Sequence, residues 1–370
     1  MLKFCDMEEN HLVITKVIKG KVVEINPQSL IKNIHIIKDR LKHGARFFPV
    51  VKSNAYGHGI ENVVPILDEF SDGYCVGRVE EAHAVRLLSE KPIIILKGVE
   101  NYQIDEISNM GEIFLVVRDL EDFEIKLRSK VQNLIIKIDT GMGRLGILYK
   151  DLQKILDLLG KYNGKDKIKG VMTHFAYSDF SDMEFIKSQN EIFDRISENL
   201  ERFLGRRILK SISNSAGTLS DSVFHKDIVR PGICIYGISP FGKNNDFSLK
   251  PVMSVKTRVL AVKIIPKGWS VGYSRRFISA DQIRVGILDI GYSDGLPRKL
   301  WEEGFVFIRN KKFKIIGVIS MDMMCVLCDD TVRPGDEAYI MGDVEGITAY
   351  DLAEKTGAIP YEILCSMGIR

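Results

Sequence analysis

Lys52 directly follows the apolar run FFPVV and precedes SNAYGHG, a glycine-containing turn with little structural reason to carry a lysine. Loops on a rigid scaffold are where chemistry is usually placed, and a desolvated lysine amine can bond to an aldehyde. Other polar residues stand in the same relation to apolar runs: Lys137 and Asp139 at the end of LIIKID, His174 after VMT, Asn214 and Ser215 after SIS, and Arg230 after IV. A guanidinium stays charged at any physiological pH and accepts no proton. A histidine in such a place can equally be a satisfied structural residue.

These positions gain meaning from the elements that precede them. Asn26 can cap a helix that opens at Pro27, carries Leu30, Ile34, Ile37 and Leu41 on one face, and ends at Gly44. Strand-like runs follow at residues 47–51, 74–76, 93–96, 113–117, 134–138, 169–172, 208–213 and 227–229, with helix-length segments between them. Strands alternating with helices in this number predict an α/β fold, a TIM-like (β/α)8 barrel over residues 26–240, whose working residues belong at the C-terminal strand ends. Beyond the turn-rich stretch SPFGKNNDFSLKP the texture becomes mostly β, with runs at 255–265, 283–290, 305–308, 313–319 and 337–341 and a helix only near 350–356. This predicts a β domain over residues 250–370, joined by strands from residues 12–18 and 22–25 of an N-terminal segment, 1–25.

The 370 residues suffice for two or three domains, and a formal charge of +3 is too small to imply a nucleic-acid partner. Six unevenly spaced cysteines do not form a disulfide framework. The N-terminus builds no signal-peptide core and no apolar stretch is long enough for a membrane span, so a cytoplasmic protein is expected.

Eight motifs then occur in order across both predicted domains: VVKSNAYGHG (50–59), KIDTGMGRLG (137–146), THFAYSD (173–179), SNSAG (213–217), VRPGICIYG (229–237), VGYSRRF (271–277), GYSDGLPR (291–298) and SMDM (320–323). Together they resemble the alanine racemases, pyridoxal-phosphate enzymes built from a barrel and a C-terminal β domain. The resemblance implies that Lys52 bonds covalently to the cofactor and serves as base on one face of the substrate's α-carbon. Tyr273 of the partner subunit would serve the other face in a homodimer with shared sites. Two opposed groups are needed, because one group returning its own proton would restore the original stereochemistry. A free tyrosine titrates near ~10, so neighbouring cations or hydrogen bonds must assist it.

The same resemblance places Arg230 against the pyridine nitrogen, where it would leave the ring unprotonated and weaken the electron sink, which suits racemisation. His174 would link the tyrosine to that arginine. Tyr56, Asn214, Ser215, Gly232 and Ile233 would surround the cofactor phosphate, and Arg144 the phenolic oxygen and substrate carboxylate. Met321 would lie near that carboxylate and Tyr292 at the substrate gate, with Arg298 and Asp322 in supporting positions. Lys137 matches a lysine often carbamylated in the family, where it orients the arginine.

Competing signals are weaker. GMGRLG satisfies a dinucleotide-binding pattern, but it follows the fifth strand of a series and lacks the acidic strand end such sites need. Cys325 and Cys328 form a lone C-x-x-C, too few ligands for a structural metal, so no metal is expected. The chain departs from the family pattern at Ser53, at Val318 and at Ile369. At the last of these many members carry a tyrosine that reaches the cofactor phosphate near the substrate entrance. The sequence ends at Arg370, where relatives usually continue. Ile369 therefore bears on both cofactor affinity and preference for alanine, and a racemase of serine, lysine or broader range is the nearest alternative. A related decarboxylase is opposed by Arg230, and a non-catalytic cofactor-holding regulator by the presence of the second domain.

Overall fold

A computed structural model describes residues 13–18, 20–177, 181–243 and 247–369. Cys5, Leu12, Ser178, Asp179, Arg370 and residues 244–246 of the predicted linker lie outside them. The chain forms two compact units, one comprising Ile31–Ala55 and Val63–Leu249, the other Met1–Leu30, Tyr56–Asn62 and Lys250–Arg370.

The first unit is a ring of eight parallel strands: Arg46–Phe47, Tyr74–Val76, Ile93–Ile95, Ile113–Val117, Leu134–Asp139, Ile168–Met172, Leu209–Ser211 and Ile228–Val229. The last pairs with the first, Val229 opposite Phe47, and backbone bonds bridge the remaining gaps, among them Val51 N–H to Cys75 O at 2.9 Å and both Asp227 N–H to Lys210 O and Arg230 N–H to Ser213 O at 3.1 Å. Ile113–Val117 and Leu134–Asp139 are buried along their whole length, as expected of strands covered on both faces. The predicted strand 47–51 shortens to Arg46–Phe47 because Pro49 has no N–H to give the ladder, although its carbonyl still accepts Cys75 N–H at 3.0 Å. The first helix, capped by Asn26 Oδ1 on Ser29 N–H at 3.0 Å, ends at Lys38. Leu41 instead belongs to a tightened last turn, with Leu41 N–H bonded to Lys38 O at 3.0 Å.

In the second unit the 13-residue strand Met253–Ile265 pairs with both Ile283–Leu288 and Glu337–Met341. Met324–Leu327, Lys311–Ile316 and Phe305–Ile308 complete the antiparallel ring between them. The hairpin of Ile14–Ile18 and Lys21–Ile25 adds to the same long strand, Ile25 opposite Met253. The expectation of a single helix here is corrected. Besides Ala349–Thr356 there is Pro360–Met367, opened by proline in its first turn and burying Ile363, Leu364 and Met367. Its opening proline suits the first turn of a helix, and Ile359 before it supplies no polar cap to mark the start.

Lys21 anchors this unit. Its ammonium, almost wholly buried, donates to Asp294 O at 2.8 Å, Met367 O at 2.9 Å and Gly368 O at 3.0 Å. Two of these carbonyls belong to the C-terminal end of Pro360–Met367 and the residue after it, where the helix dipole favours a cation. The ammonium thus joins the N-terminal hairpin to the 292–295 turn and to the last helix. Lys21→Met should leave three carbonyls without this donor and lower stability by about 3 kcal/mol. A denaturant midpoint equal to wild type would contradict this.

Candidate active site

The strand Arg46–Phe47 continues as extended chain to Val51 and then reverses. Ser53, Asn54, Ala55 and Tyr56 all adopt left-handed backbone, with φ of 54°, 50°, 55° and 54°. Such a conformation costs non-glycine residues roughly 1–2 kcal/mol each, so the surroundings must hold it. Glu81 supplies part of that hold. Its carboxylate accepts Ser53 N–H at 2.6 Å, Gly77 N–H at 2.7 Å and Arg78 N–H at 3.1 Å, tying the loop after Lys52 to the loop after Tyr74–Val76. Glu81 does not stand out in the sequence, because two of its partners are the amides that open its own helix and the third, Ser53 N–H, is brought to it by the fold.

Lys137 and Asp139 end the buried strand Leu134–Asp139. Asp139 Oδ1 accepts the N–H groups of Gly141, Met142 and Gly143 at 2.9, 2.9 and 3.2 Å, and Oδ2 that of Arg144 at 3.0 Å. These bonds draw its carboxyl below the ordinary range against the opposing effect of burial. They also answer the dinucleotide pattern: the glycine-loop amides that would have to cradle a phosphate are turned onto the protein's own carboxylate.

Arg230 is buried. Its guanidinium donates to Thr173 O at 2.8 Å, to Ile212 O at 3.4 Å and to the Ser211 hydroxyl. Burial draws its pKa down to about 10, still charged at neutral pH. Desolvation, then the charges of Arg144 and Arg230, lower Lys137 to about 8. His174 keeps some exposure at the barrel end but is closely surrounded; desolvation, then Arg230, Lys137, Arg144 and Lys52, hold its imidazole neutral. Lys52, Lys137, Arg144, His174 and Arg230 are therefore brought within electrostatic reach of one another, four of them residues that the sequence placed at or after strand ends and Arg144 one that the resemblance added.

Nearby, Ser215 Oγ accepts Gly232 N–H at 2.9 Å and Cys234 N–H at 3.5 Å, bringing together the segments that hold Gly232 and Ile233. Asn214 spends its side-chain oxygen on Gly217 N–H at 3.0 Å, capping the short helix Ser215–Leu219.

The second unit holds the other candidates. Tyr56 is buried and lies 6.2 Å from Tyr361, ring to ring. Ile369 is also buried, and its N–H donates to Gly57 O at 2.7 Å. Tyr273 is 65% exposed on a turn in which Ser274 and Arg275 have positive φ. Tyr292, Met321 and Asp322 come together: Tyr292 N–H donates to Ser320 O at 3.1 Å, Ser293 N–H to Met321 O at 3.0 Å and Ser293 Oγ to Asp322 Oδ1 at 3.0 Å. Gly291 permits this approach, since a Cβ there would sit 2.1 Å from Met321 O. Arg298 opens the turn Arg298–Trp301 and lines a cavity with Tyr292, Glu362 and Ser366. Among the described residues no three His, Cys, Asp or Glu side chains are grouped to hold a metal, and no helix is long and apolar enough to cross a membrane.

Residues 25–240 match the family profile described as alanine racemase, N-terminal domain, and residues 252–370 that described as alanine racemase, C-terminal domain. The chain belongs to the alanine racemase family. It is 35% identical to the alanine racemase of Legionella pneumophila (strain Lens), covering 94% of this chain and 97% of that one. The solved alanine racemase from Bartonella henselae with covalently bound pyridoxal phosphate superimposes with a TM-score of 0.84 at 28% identity, covering 94% and 97%. That from Streptomyces coelicolor A3(2) gives 0.86 at 28% identity, covering 95% and 96%. The barrel followed by a β domain is thus the architecture of this family.

Ser53 separates backbone strain from side-chain chemistry, because its side chain is exposed while its N–H is used. Ser53→Gly should leave the melting temperature unchanged or raised, and Ser53→Val should destabilise by about 1–2 kcal/mol. Equal melting temperatures for the two variants would mean the left-handed turn is not strained.

Proposed function

We propose that this chain is a pyridoxal-phosphate-dependent racemase that interconverts L-alanine and D-alanine in the cytoplasm, as a homodimer with shared sites. The observation that carries the reading is the buried Arg230 guanidinium, fixed by Thr173 O, Ile212 O and Ser211 at a strand end beside Lys52, Lys137 and Arg144.

The residues present fit the cofactor. Lys137, Arg144 and Arg230 share one barrel end with Lys52, and Asp139, the carboxylate that acts on Lys137, is committed to four amides, so the charge at this end suits a phosphate, a phenolate and a substrate carboxylate. Lys52 would hold the aldehyde carbon, Ser215, Tyr56 and the Gly232 and Ile233 backbone the phosphate, and Arg144 the phenolic oxygen. Bound there, the cofactor withdraws electrons from the substrate and makes its α-proton acidic.

The rest is the work of side chains. The Lys52 amine moves the proton at one face of the α-carbon. The Tyr273 hydroxyl of the partner subunit moves it at the other. Arg230 has no proton-accepting atom and leaves the ring nitrogen unprotonated, which limits electron withdrawal and favours return of a proton to the α-carbon. His174, held neutral, can accept a hydrogen bond while adding no charge. On the barrel, Arg144 would orient the substrate carboxylate; in the second unit, the resemblance gives the Met321 main chain to that carboxylate, Tyr292 to the substrate gate, and Arg298 and Asp322 to supporting positions. The 65% exposure of Tyr273, with Trp269 and Ile278 also exposed in the same unit, supports a partner subunit covering this surface.

Lys137 is suited to carbamylation. Its neutral amine becomes the majority form as pH rises past about 8, and attack on CO2 forms an N–C bond with release of one proton. The carbamate would turn a cation beside Arg144 into an anion that orients it. With 13C-bicarbonate a carbamate resonance should grow as pH rises through this range and be absent from Lys137→Ala. A wild-type protein without it would end this role.

Shared sites predict complementation. Lys52→Ala and Tyr273→Phe should each be nearly inactive, and subunits mixed after dissociation should regain about a quarter of wild-type activity, since each heterodimer holds one intact site. A mixture that stays inactive would place both groups in one subunit. Substrate range is read by α-proton exchange and loss of chirality in D2O across L-alanine, D-alanine, serine and basic amino acids. Exchange confined to alanine supports the proposal, faster exchange with another amino acid assigns the broader range that an apolar, buried Ile369 would permit, and exchange with none rejects racemisation.

A further inference from the structure

The helix Met183–Leu204 lies outside the barrel ring and carries none of the residues placed in the chemistry, yet its first turns touch both loops that do. Gln189 is fully buried. Its amide nitrogen donates to Thr140 Oγ1 at 3.0 Å and to His174 O at 3.3 Å, and its amide oxygen accepts Ala176 N–H at 3.0 Å. Thr140 Oγ1 in turn meets Thr173 Oγ1 at 2.9 Å, and Thr173 O is the acceptor of the Arg230 guanidinium. One side chain therefore bridges the loop that leads to Arg144 and the loop that holds His174 and the Arg230 acceptor.

One turn earlier on the same helix, Phe185 makes a second contact with the same two loops. Its ring lies 5.8 Å from Tyr177, edge to face, and closes under Gly141, where a Cβ would come within 2.7 Å of it. Gly141 has φ +132°, so the loop passes here only as glycine. Positions 185 and 189 share a helix face, which makes the apolar and the polar contact parts of one rigid surface. An amide suits the polar position: it donates and accepts at once, without adding a charge beside four cations.

We propose that Gln189 is a positioning residue for the reaction, a clamp that fixes His174 and Arg230 relative to Arg144 through Thr140 and Thr173. This rests on the roles given above to those three residues. Displacing them by even a fraction of an ångström would misalign charge at the reacting carbon without emptying the site, so turnover should suffer more than binding.

The test uses holoenzyme. Gln189→Met, which keeps length and removes all three hydrogen bonds, should lower kcat roughly 10–100-fold with a much smaller change in KM, in both directions of racemisation. Amide hydrogen exchange should quicken in residues 140–144 and 173–177 and stay at wild-type rates in the rest of the helix. Thr140→Val should reproduce part of the loss, Thr140→Ser should restore it, and Gln189→Met with Thr140→Val should cost no more than Gln189→Met alone. Wild-type kinetics and exchange in Gln189→Met, or strictly additive losses, would overturn the proposal. Should Gln189→Met fail to fold, the Thr140 pair decides in the same way, equal kcat for Val and Ser counting against the clamp. If wild type itself racemises nothing, the functional reading falls while the exchange rates of the two loops still decide whether the clamp exists.

Discussion

Everything at the end of the barrel depends on holding four like charges together. The charges of Arg144, Arg230 and Lys52 all press on Lys137, and the burial of Lys137 and Arg230 makes such repulsion stronger. Arg230 is held by carbonyls and a hydroxyl, and Lys137 yields part of its proton affinity. The carboxylates nearest the site are turned to other work: Asp139 binds four amides and Glu81 three, so both order backbone. An unbalanced positive site of this kind is completed by an anion, and each carboxylate spent on the backbone preserves that demand.

The left-handed turn after Lys52 belongs to the same logic. Four consecutive non-glycine residues with φ near +50° would relax into ordinary backbone if nothing opposed it. The turn reverses the chain at once after the strand, which places Lys52 at the strand end instead of carrying it away along a helix. Glu81 on one side fixes the start of the turn, and the bond from Ile369 N–H to Gly57 O fixes the residue that follows it. Strain here is the local cost of an early, sharp reversal.

The sequence made the architecture legible where the signal is periodic or local. Parallel strands buried on both faces read as continuous apolar runs, and the residue after each run was chemically conspicuous, which is why Lys52, Lys137, His174 and Arg230 stood out as candidates before any geometry. Strand ends were less visible, because Pro49 interrupts a ladder that its neighbours continue. The helix Pro360–Met367 was missed although its length equals that of Ala349–Thr356; it lacks the polar cap that Thr348 gives the other. Lys21, Glu81 and Gln189 gave no signal because each has partners in other segments: Lys21 meets carbonyls more than 270 residues away, Glu81 reaches Ser53 N–H, and Gln189 reaches Thr140. Residues proposed for chemistry announce themselves by type and place, whereas residues proposed to hold others in position are defined by contacts that only the fold creates.

That difference bears on how specificity arises on this scaffold. The groups proposed to move protons are few and could sit on many barrels, since a lysine after a strand is a common occurrence. What is uncommon is the set of neutral connections around them: an amide bridging two loops, a hydroxyl pair between Thr140 and Thr173, a glycine seated over Phe185. None of these changes the net charge of the site, and each removes a freedom from a charged group that would otherwise move away from its neighbours. In a cluster of like charges the easiest relaxation is separation, so the residues that forbid separation are as necessary to the chemistry as the charges themselves.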